Sequence, residues 1–373
     1  MNKIKTLIIF GTRPEAVKMA PIVKALKGDD EHFMTKICVT AQHRGMLDQV
    51  LRIFDIVPDY DLNIFQSGQT LTQITCRALT GLEEVIKEFK PDLVLVQGDT
   101  STVFAGALAA FYHQVKIGHV EAGLRSGNLY SPYPEEANRR LAGVLADFHF
   151  APTETSRENL LKEGFDDGKI FITGNTSIDA LKWVIDEEYQ FEDKKLNSID
   201  FKNKKVVLIT AHRRENIGEP MENIFSAIKK AAEKNSDVEV IYPMHLNPKV
   251  REIAYKVFGD MKNVHLIEPL DYLPFTNLMA KCFLIVTDSG GVQEEAPSFG
   301  KPVLVVRRET ERPEGIEAGT AKLVGTDRDV VFNEINTLIN SEEEYKKMAN
   351  AVNPYGDGKA AQYIKEAIIK KMI

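Results

Sequence analysis

Short apolar runs alternate with longer amphipathic ones along the whole chain. In the first half the runs fall at residues 7–10, 37–40, 93–97, 117–120 and 149–151. The second half repeats the pattern at 206–210, 238–242, 264–267, 283–286 and 303–306. These runs are continuously apolar rather than alternating, which predicts strands of parallel sheets covered on both faces. Helical periodicity fills the gaps, most clearly at 16–26, 71–89, 221–234 and 330–340, with a last helix at 359–371. Strand and helix in regular alternation predict an α/β, doubly wound class.

The two halves also open alike. Residues 7–16 and 207–216 are each an apolar strand, a basic loop and the start of a helix. This weak internal repeat predicts two Rossmann-like domains facing a cleft. The charged segment 186–205 has no long apolar run, and the linker and domain edge are expected near it.

A length of 373 residues suits two domains that each bury a core, and 43% hydrophobic residues make the chain globular. The formal charge of −7 without a basic tract argues against nucleic acid as a partner. Cys38, Cys76 and Cys282 have no paired spacing and are expected to be reduced core thiols. The first apolar run stops at Gly11, so it predicts a strand rather than a signal peptide. No apolar run is long enough to span a membrane, and a cytoplasmic protein is expected.

The richest stretch is residues 285–296, Ile-Val-Thr-Asp-Ser-Gly-Gly-Val-Gln-Glu-Glu-Ala. An apolar strand leads into Ser289-Gly290-Gly291, and a helix is expected from Val292 onward. A tight turn without side chains lets a ligand approach the backbone. Free N–H groups at a helix start favour a phosphate there. Ser289 suits an N-cap, or its hydroxyl can bond a phosphate oxygen. Glu295 is placed to meet a ribose hydroxyl. Gly-Gly alone is better explained by a plain strand–turn–helix connection. Ser289 before it, Glu294-Glu295 after it and Arg312-Pro-Glu314 downstream favour a nucleotide diphosphate site.

Further candidates stand at other strand ends. Gly11-Thr-Arg-Pro-Glu15 places Arg13 at the carboxyl edge of the first strand, with Lys18 on the helix that follows. Asp99, Glu121 and Glu135 follow three further strand or loop exits. Each alone is an ordinary cap or ion-pair partner; together they point to an acid–base cluster in which close carboxylates raise one another's pKa. His212 follows the first strand of the second half and can contact a diphosphate or a sugar. Dispersed histidines give no zinc spacing, and no G-x-G-x-x-G follows the first strand. No metal or nicotinamide cofactor is expected. Trp183 is expected to be a packing residue.

Taken in order, these motifs resemble the non-hydrolysing UDP-N-acetylglucosamine 2-epimerases of bacteria. The matching runs in the first half are Gly11-Thr-Arg-Pro-Glu15, Gln42-His-Arg44, Gly98-Asp-Thr100, His119-Val-Glu-Ala-Gly-Leu-Arg125, Pro134-Glu-Glu136 and Gly174-Asn-Thr176. In the second they are His212-Arg-Arg-Glu215, His245-Leu-Asn-Pro248, Leu273-Pro-Phe275, Asp288-Ser-Gly-Gly-Val-Gln-Glu-Glu295 and Thr310-Glu-Arg-Pro-Glu314. The resemblance implies the glycosyltransferase-B-type fold, with an N-terminal domain at 1–175 joined by the returning segment 355–373, and a UDP-binding domain at 176–354. It implies conversion of UDP-GlcNAc to UDP-ManNAc for surface polysaccharide synthesis, by a homodimer. Carried over, Arg13, Lys18, Asp99, Glu121 and His212 match substrate contacts, and His212 also stands in the catalytic set. Ser289, Gly290, Gly291, Glu295 and Arg312 match the UDP site, with Phe275 and the Leu270 backbone near the uracil. Asp99, Glu121 and Glu135 match the acid–base residues. One departure is Arg307-Arg308-Glu309, where relatives carry an acidic residue after the first Arg.

Inversion at C2 needs a C–H bond broken beside no carbonyl. Elimination of UDP across C1–C2 meets that need: a carboxylate takes the C2 proton while cations stabilise the departing diphosphate. Rivals are a glycosyltransferase of the same fold, a non-catalytic UDP-sugar sensor and a hydrolysing epimerase.

Overall fold

The computed structural model describes residues 3–42 and 44–373, so His43 of the Gln42-His-Arg44 run lies outside the described residues. Contacts divide the chain into two compact units, Met1–Trp183 with Tyr355–Ile373, and Val184–Pro354. The first unit carries β1 (Ile4–Phe10), β2 (Phe33–Val39), β3 (Tyr60–Asp61), β4 (Leu93–Gln97), β5 (Lys116–Val120), β6 (Phe148–Ala151) and β7 (Ile170–Ile172). They form one sheet, in the order β3-β2-β1-β4-β5-β6-β7, and all pair in parallel. The second unit carries β8 (Lys205–Thr210), β9 (Val238–Pro243), β10 (Val264–Ile267), β11 (Leu284–Thr287), β12 (Val303–Val305) and β13 (Ala321–Leu323). Its sheet runs β10-β9-β8-β11-β12-β13, again all parallel.

Continuous apolar strands are explained by burial on both faces. Along β8, Val207 and Ile209 enter one core with Phe225, Ile228 and Val331, whereas Val206 and Leu208 enter another with Leu278, Val292 and Ala296. Successive side chains point to opposite faces, so each face needs its own apolar set. The three strands without a sequence signal, β3, β7 and β13, are all at sheet edges. They are two or three residues long and half-exposed, and such edges need no apolar run.

Segment 186–205 is not a bare linker. Its Phe191 and Leu196 are buried in a core of the second unit, and Lys194–Asn197 forms a helical turn there. The helix Thr176–Val184 groups with the first unit, and Asp179 on it caps the returning helix Ala360–Met372 through the N–H groups of Ala360 (3.1 Å) and Ala361 (2.9 Å). Two packing expectations are corrected. Trp183 is 59% exposed, with Lys24 Nζ 5.6 Å from its ring centre, so it covers a lysine stem rather than filling a core. Cys76 is exposed, because it sits on the outer side of the helix Leu71–Phe89, whereas Cys38 and Cys282 are buried. Among the described residues no helix is long and apolar enough to cross a membrane.

Candidate active site

In a doubly wound sheet, ligands bind at the carboxyl ends of the strands where the order reverses. The first sheet reverses between β1 and β4, the second between β8 and β11. Four of the motif loops are at those places: residues 11–13 and 98–100 in one unit, 211–213 and 288–291 in the other.

Glu121 directly follows β5 with φ at 63°, a left-handed conformation disfavoured for any residue with a Cβ. That backbone turns its carboxylate inward, where it is 9% exposed, accepts from Gln97 Nε2 at 2.7 Å and pairs with Lys18 Nζ. The end of β4, the exit of β5 and the helix Arg13–Lys27 are thus tied at one point. Arg13, first in that helix, is half-buried.

Asp99 is tied elsewhere. Its carboxylate pairs with Arg139 and its carbonyl accepts from Asn138 Nδ2 at 3.0 Å, both from the helix Glu135–Leu145. His119 Nε2 lies 2.7 Å from the Gly98 carbonyl, and burial holds the imidazole down at about 4, so it is neutral and donates there. Glu135 opens its helix and is half-exposed. Among the described residues no hydrogen bond or ion pair joins it to Asp99 or Glu121. The sequence expectation of mutually tuned carboxylates therefore meets a different local arrangement, in which Asp99 and Glu121 each have a cation of their own.

At these loops burial does shift Glu15, which the motif pattern marks only as the end of a loop. It is 2% exposed and accepts from Gly11 N at 3.2 Å and Thr100 Oγ1 at 2.8 Å, so it joins the β1 and β4 loops. Burial pushes its pKa up to about 7, against those hydrogen bonds. Between pH 4.5 and about 7 the folded chain keeps a proton that the unfolded chain releases. Its contribution to stability is therefore complete below the lower value and lost as pH rises through the upper. Glu15→Gln is expected to flatten this decline, a difference of roughly 3 kcal/mol above neutrality. Urea midpoints measured across that range check it; an unchanged slope would mean that Glu15 ionises as in the unfolded chain.

In the second unit the helix Gly290–Glu295 starts directly after Ser289. Neither glycine has a positive φ, so the expected tight turn is absent and glycine is not needed for backbone geometry. A Cβ on Gly291 would meet nothing within 4 Å, and one on Gly290 only the Arg312 guanidinium at 3.9 Å. The space they leave is open to a ligand, beside a fixed cation. Ser289 occupies the N-cap position, but its hydroxyl makes no capping bond, and the expectation of a Ser cap is corrected. Its carbonyl instead accepts from Gln293 Nε2 at 3.1 Å, and Thr310 Oγ1 meets Gln293 Oε1 at 2.7 Å. Thr310 also takes the Arg312 N–H at 3.1 Å, and the Arg312 guanidinium pairs with buried Glu294. Arg312 is held in place from both ends. With only six residues, this helix offers free N–H groups more than a long dipole.

A cavity of ≈ 340 Å³ adjoins that start, its wall including His212, His245, Leu270, Phe275 and Ser289. Phe275 and Leu270 pack on the core behind, which fixes an apolar wall of the kind a flat base can cover. The His212 and His245 rings stack at 5.4 Å and 10°. Glu295 ends the short helix, half-buried, and its charge lies beside the buried Tyr272 hydroxyl. Of the departure at 307–309, Arg307 is buried and paired with Glu311 (2.7 Å) and Glu215 (3.2 Å), while Arg308 is exposed. The functional reading of the sequence also missed Asp288 and Glu294, whose role depends on burial.

Known proteins match the chain over nearly its whole length. A family model described as UDP-N-acetylglucosamine 2-epimerase matches residues 24–369. The UDP-N-acetylglucosamine 2-epimerase of Escherichia coli K12 is 57% identical over 373 residues, covering 98% of this chain and 98% of its own. That of Bacillus subtilis is 56% identical over 369 residues, covering 99% and 96%. The crystal structure of UDP-GlcNAc 2-epimerase from Neisseria meningitidis, bound to UDP-GlcNAc, has a TM-score of 0.87 at 51% identity, covering 99% of this chain and 100% of that one. Two doubly wound units place the chain in the same glycosyltransferase-B-type class.

Proposed function

The chain belongs to the UDP-N-acetylglucosamine 2-epimerase family, and from that premise we propose that it is an isomerase interconverting UDP-GlcNAc and UDP-ManNAc. The observation that carries the reading is the pair of bare glycines at 290 and 291, which nothing inside the protein requires, set beside Arg312 and an apolar cavity. This is a seat for a nucleoside diphosphate. His212 and Arg13 add cationic or N–H groups for the departing phosphates, Phe275 and Leu270 take the base, and Glu295 takes the ribose.

The chemistry we assign is elimination and re-addition. A carboxylate takes the C2 proton, the C–H electrons form the C1–C2 double bond, and the C1–O bond breaks with its electrons leaving on UDP. In the return step a UDP oxygen adds to C1 while an acid protonates C2 from the other face. Asp99, Glu121 and Glu135 form the set from which base and acid are drawn. Lys18 pairs with Glu121 and orients its carboxylate, and Arg139 does the same for Asp99. The same reading has the chain act in the cytoplasm as a homodimer, without metal or nicotinamide, and supply surface polysaccharide synthesis.

Incubation with UDP-GlcNAc in D₂O without an acceptor tests the reaction. UDP-ManNAc carrying deuterium at C2, formed reversibly, is expected. Free ManNAc would indicate a hydrolysing enzyme, and unchanged substrate a transferase or a sensor.

A further inference from the structure

Asp288 directly follows β11 and is 0% exposed. One of its oxygens, Oδ2, accepts three hydrogen bonds: from His212 N at 2.9 Å, Arg213 N at 2.9 Å and Asn216 Nδ2 at 3.1 Å. Asn216 is fixed in turn by the Val306 carbonyl at 3.0 Å. These bonds bind the loop after β8 to the end of β11, the two strands flanking the switch point. The other oxygen, Oδ1, has no hydrogen-bond partner among the described residues, although it is fully buried. It faces His212 Nδ1 at 3.6 Å, just outside hydrogen-bond reach. A buried carboxylate oxygen left open is unusual, and among the described residues the charged or titratable group that stands within 4 Å of it is an imidazole on the wall of the nucleotide cavity.

The geometry points to Asp288 as a positioning residue whose open oxygen receives the Nδ1–H of His212 when a nucleoside diphosphate engages the other ring nitrogen, so that ligand binding brings a proton onto His212. This inference rests on the nucleotide reading above. A small rotation of the half-exposed ring closes the gap, and the imidazolium then stands between two anions, carboxylate and phosphate. Without ligand the balance is the reverse. Burial favours the neutral ring, with His245 and Arg213 adding to that preference, and Asp288 alone opposes it. The other charged or titratable groups that sense Asp288 are Arg307, beyond β12, and Tyr242, on β9. Tyr242 is pushed upward by burial and by Asp288, so it stays neutral and does not compete for the proton.

Calorimetric titration of UDP into the protein, in buffers of different ionisation heat near neutral pH, counts the protons taken up. Comparison with His212→Gln removes the contribution of UDP itself. Wild type is expected to take up close to one proton more than H212Q. Asp288→Asn keeps an oxygen for the three donors but presents an N–H to Nδ1, which fixes the neutral tautomer. It is expected to match H212Q in proton count and to bind UDP roughly 10- to 100-fold more weakly. A merely structural Asp288 would lower the melting temperature of D288N and leave the proton count at the wild-type value. That result, or equal counts in wild type and H212Q, overturns the inference while the nucleotide site stands. H212Q supplies the decisive comparison even where D288N fails to fold. Failure of wild type to bind UDP at all overturns the nucleotide reading and this inference with it.

Discussion

Glu121→Gln is expected to lower kcat by at least ~10²-fold and up to ~10⁴-fold, the usual value of a positioned acid or base. The amide keeps the size of the side chain and can still meet Gln97, but it cannot exchange a proton with the sugar. UDP affinity should change little, because Glu121 is not among the groups assigned to the diphosphate. Asp99→Asn and Glu135→Gln carry the same expectation for turnover. Their effects on stability should differ. Removing the Asp99 charge leaves Arg139, which is 9% exposed, with only the longer contact to Glu136 at 3.6 Å among the described residues. That variant should lose part of the ~3–5 kcal/mol typical of a broken buried pair. Glu135 is half-exposed and should cost almost nothing. The variant lacking the residue that reprotonates the glycal should accumulate 2-acetamidoglucal and UDP, visible by NMR. The variant lacking the base should show neither glycal nor deuterium exchange at C2. If all three turn over near the wild-type rate, the reacting proton is handled elsewhere, and Glu15 becomes the first place to look.

Gly290→Val should weaken UDP binding by about two orders of magnitude. A hydrogen bond to a charged group contributes about 1.5–3 kcal/mol, so pushing the phosphate off one or two N–H groups accounts for that loss. The fold should survive, since the first added carbon meets only the Arg312 guanidinium at 3.9 Å. Gly291→Ala, where the new methyl would touch nothing within 4 Å, separates ligand exclusion from any effect on the helix itself. Glu295→Gln adds a second comparison. It should weaken UDP more than dTDP if its carboxylate meets the ribose 2′-hydroxyl. Calorimetry with unchanged UDP affinity in both Gly290→Val and Glu295→Gln would remove the nucleotide assignment.

Among the described residues ten of the thirteen strands announce themselves as apolar runs, and all of these but the edge strand β10 lie inside their sheets, where burial on both faces demands apolar side chains. Their parallel βα connections then put every motif loop at the same edge of its sheet, so the local pattern already places Arg13, Asp99, Glu121, His212 and Ser289 at carboxyl ends. That much follows from the chain itself, since burial and the strand-to-helix step are local demands. What required the tertiary structure is the choice of neighbours. Strand order decides that the β1 and β4 loops, and the β8 and β11 loops, are the ones at the switch points. Lys18 meets Glu121 across 103 residues of sequence and Arg139 meets Asp99 across 40, separations at which no periodicity survives. Glu15 and Asp288 differ from any other acidic residue in the text of the sequence by nothing. Burial, which shifts one and leaves an oxygen of the other open beside His212, exists only once each unit has packed around its own carboxyl group. Solvation of a carboxyl group is a property of everything packed around it, and the chain brings those groups together only by folding.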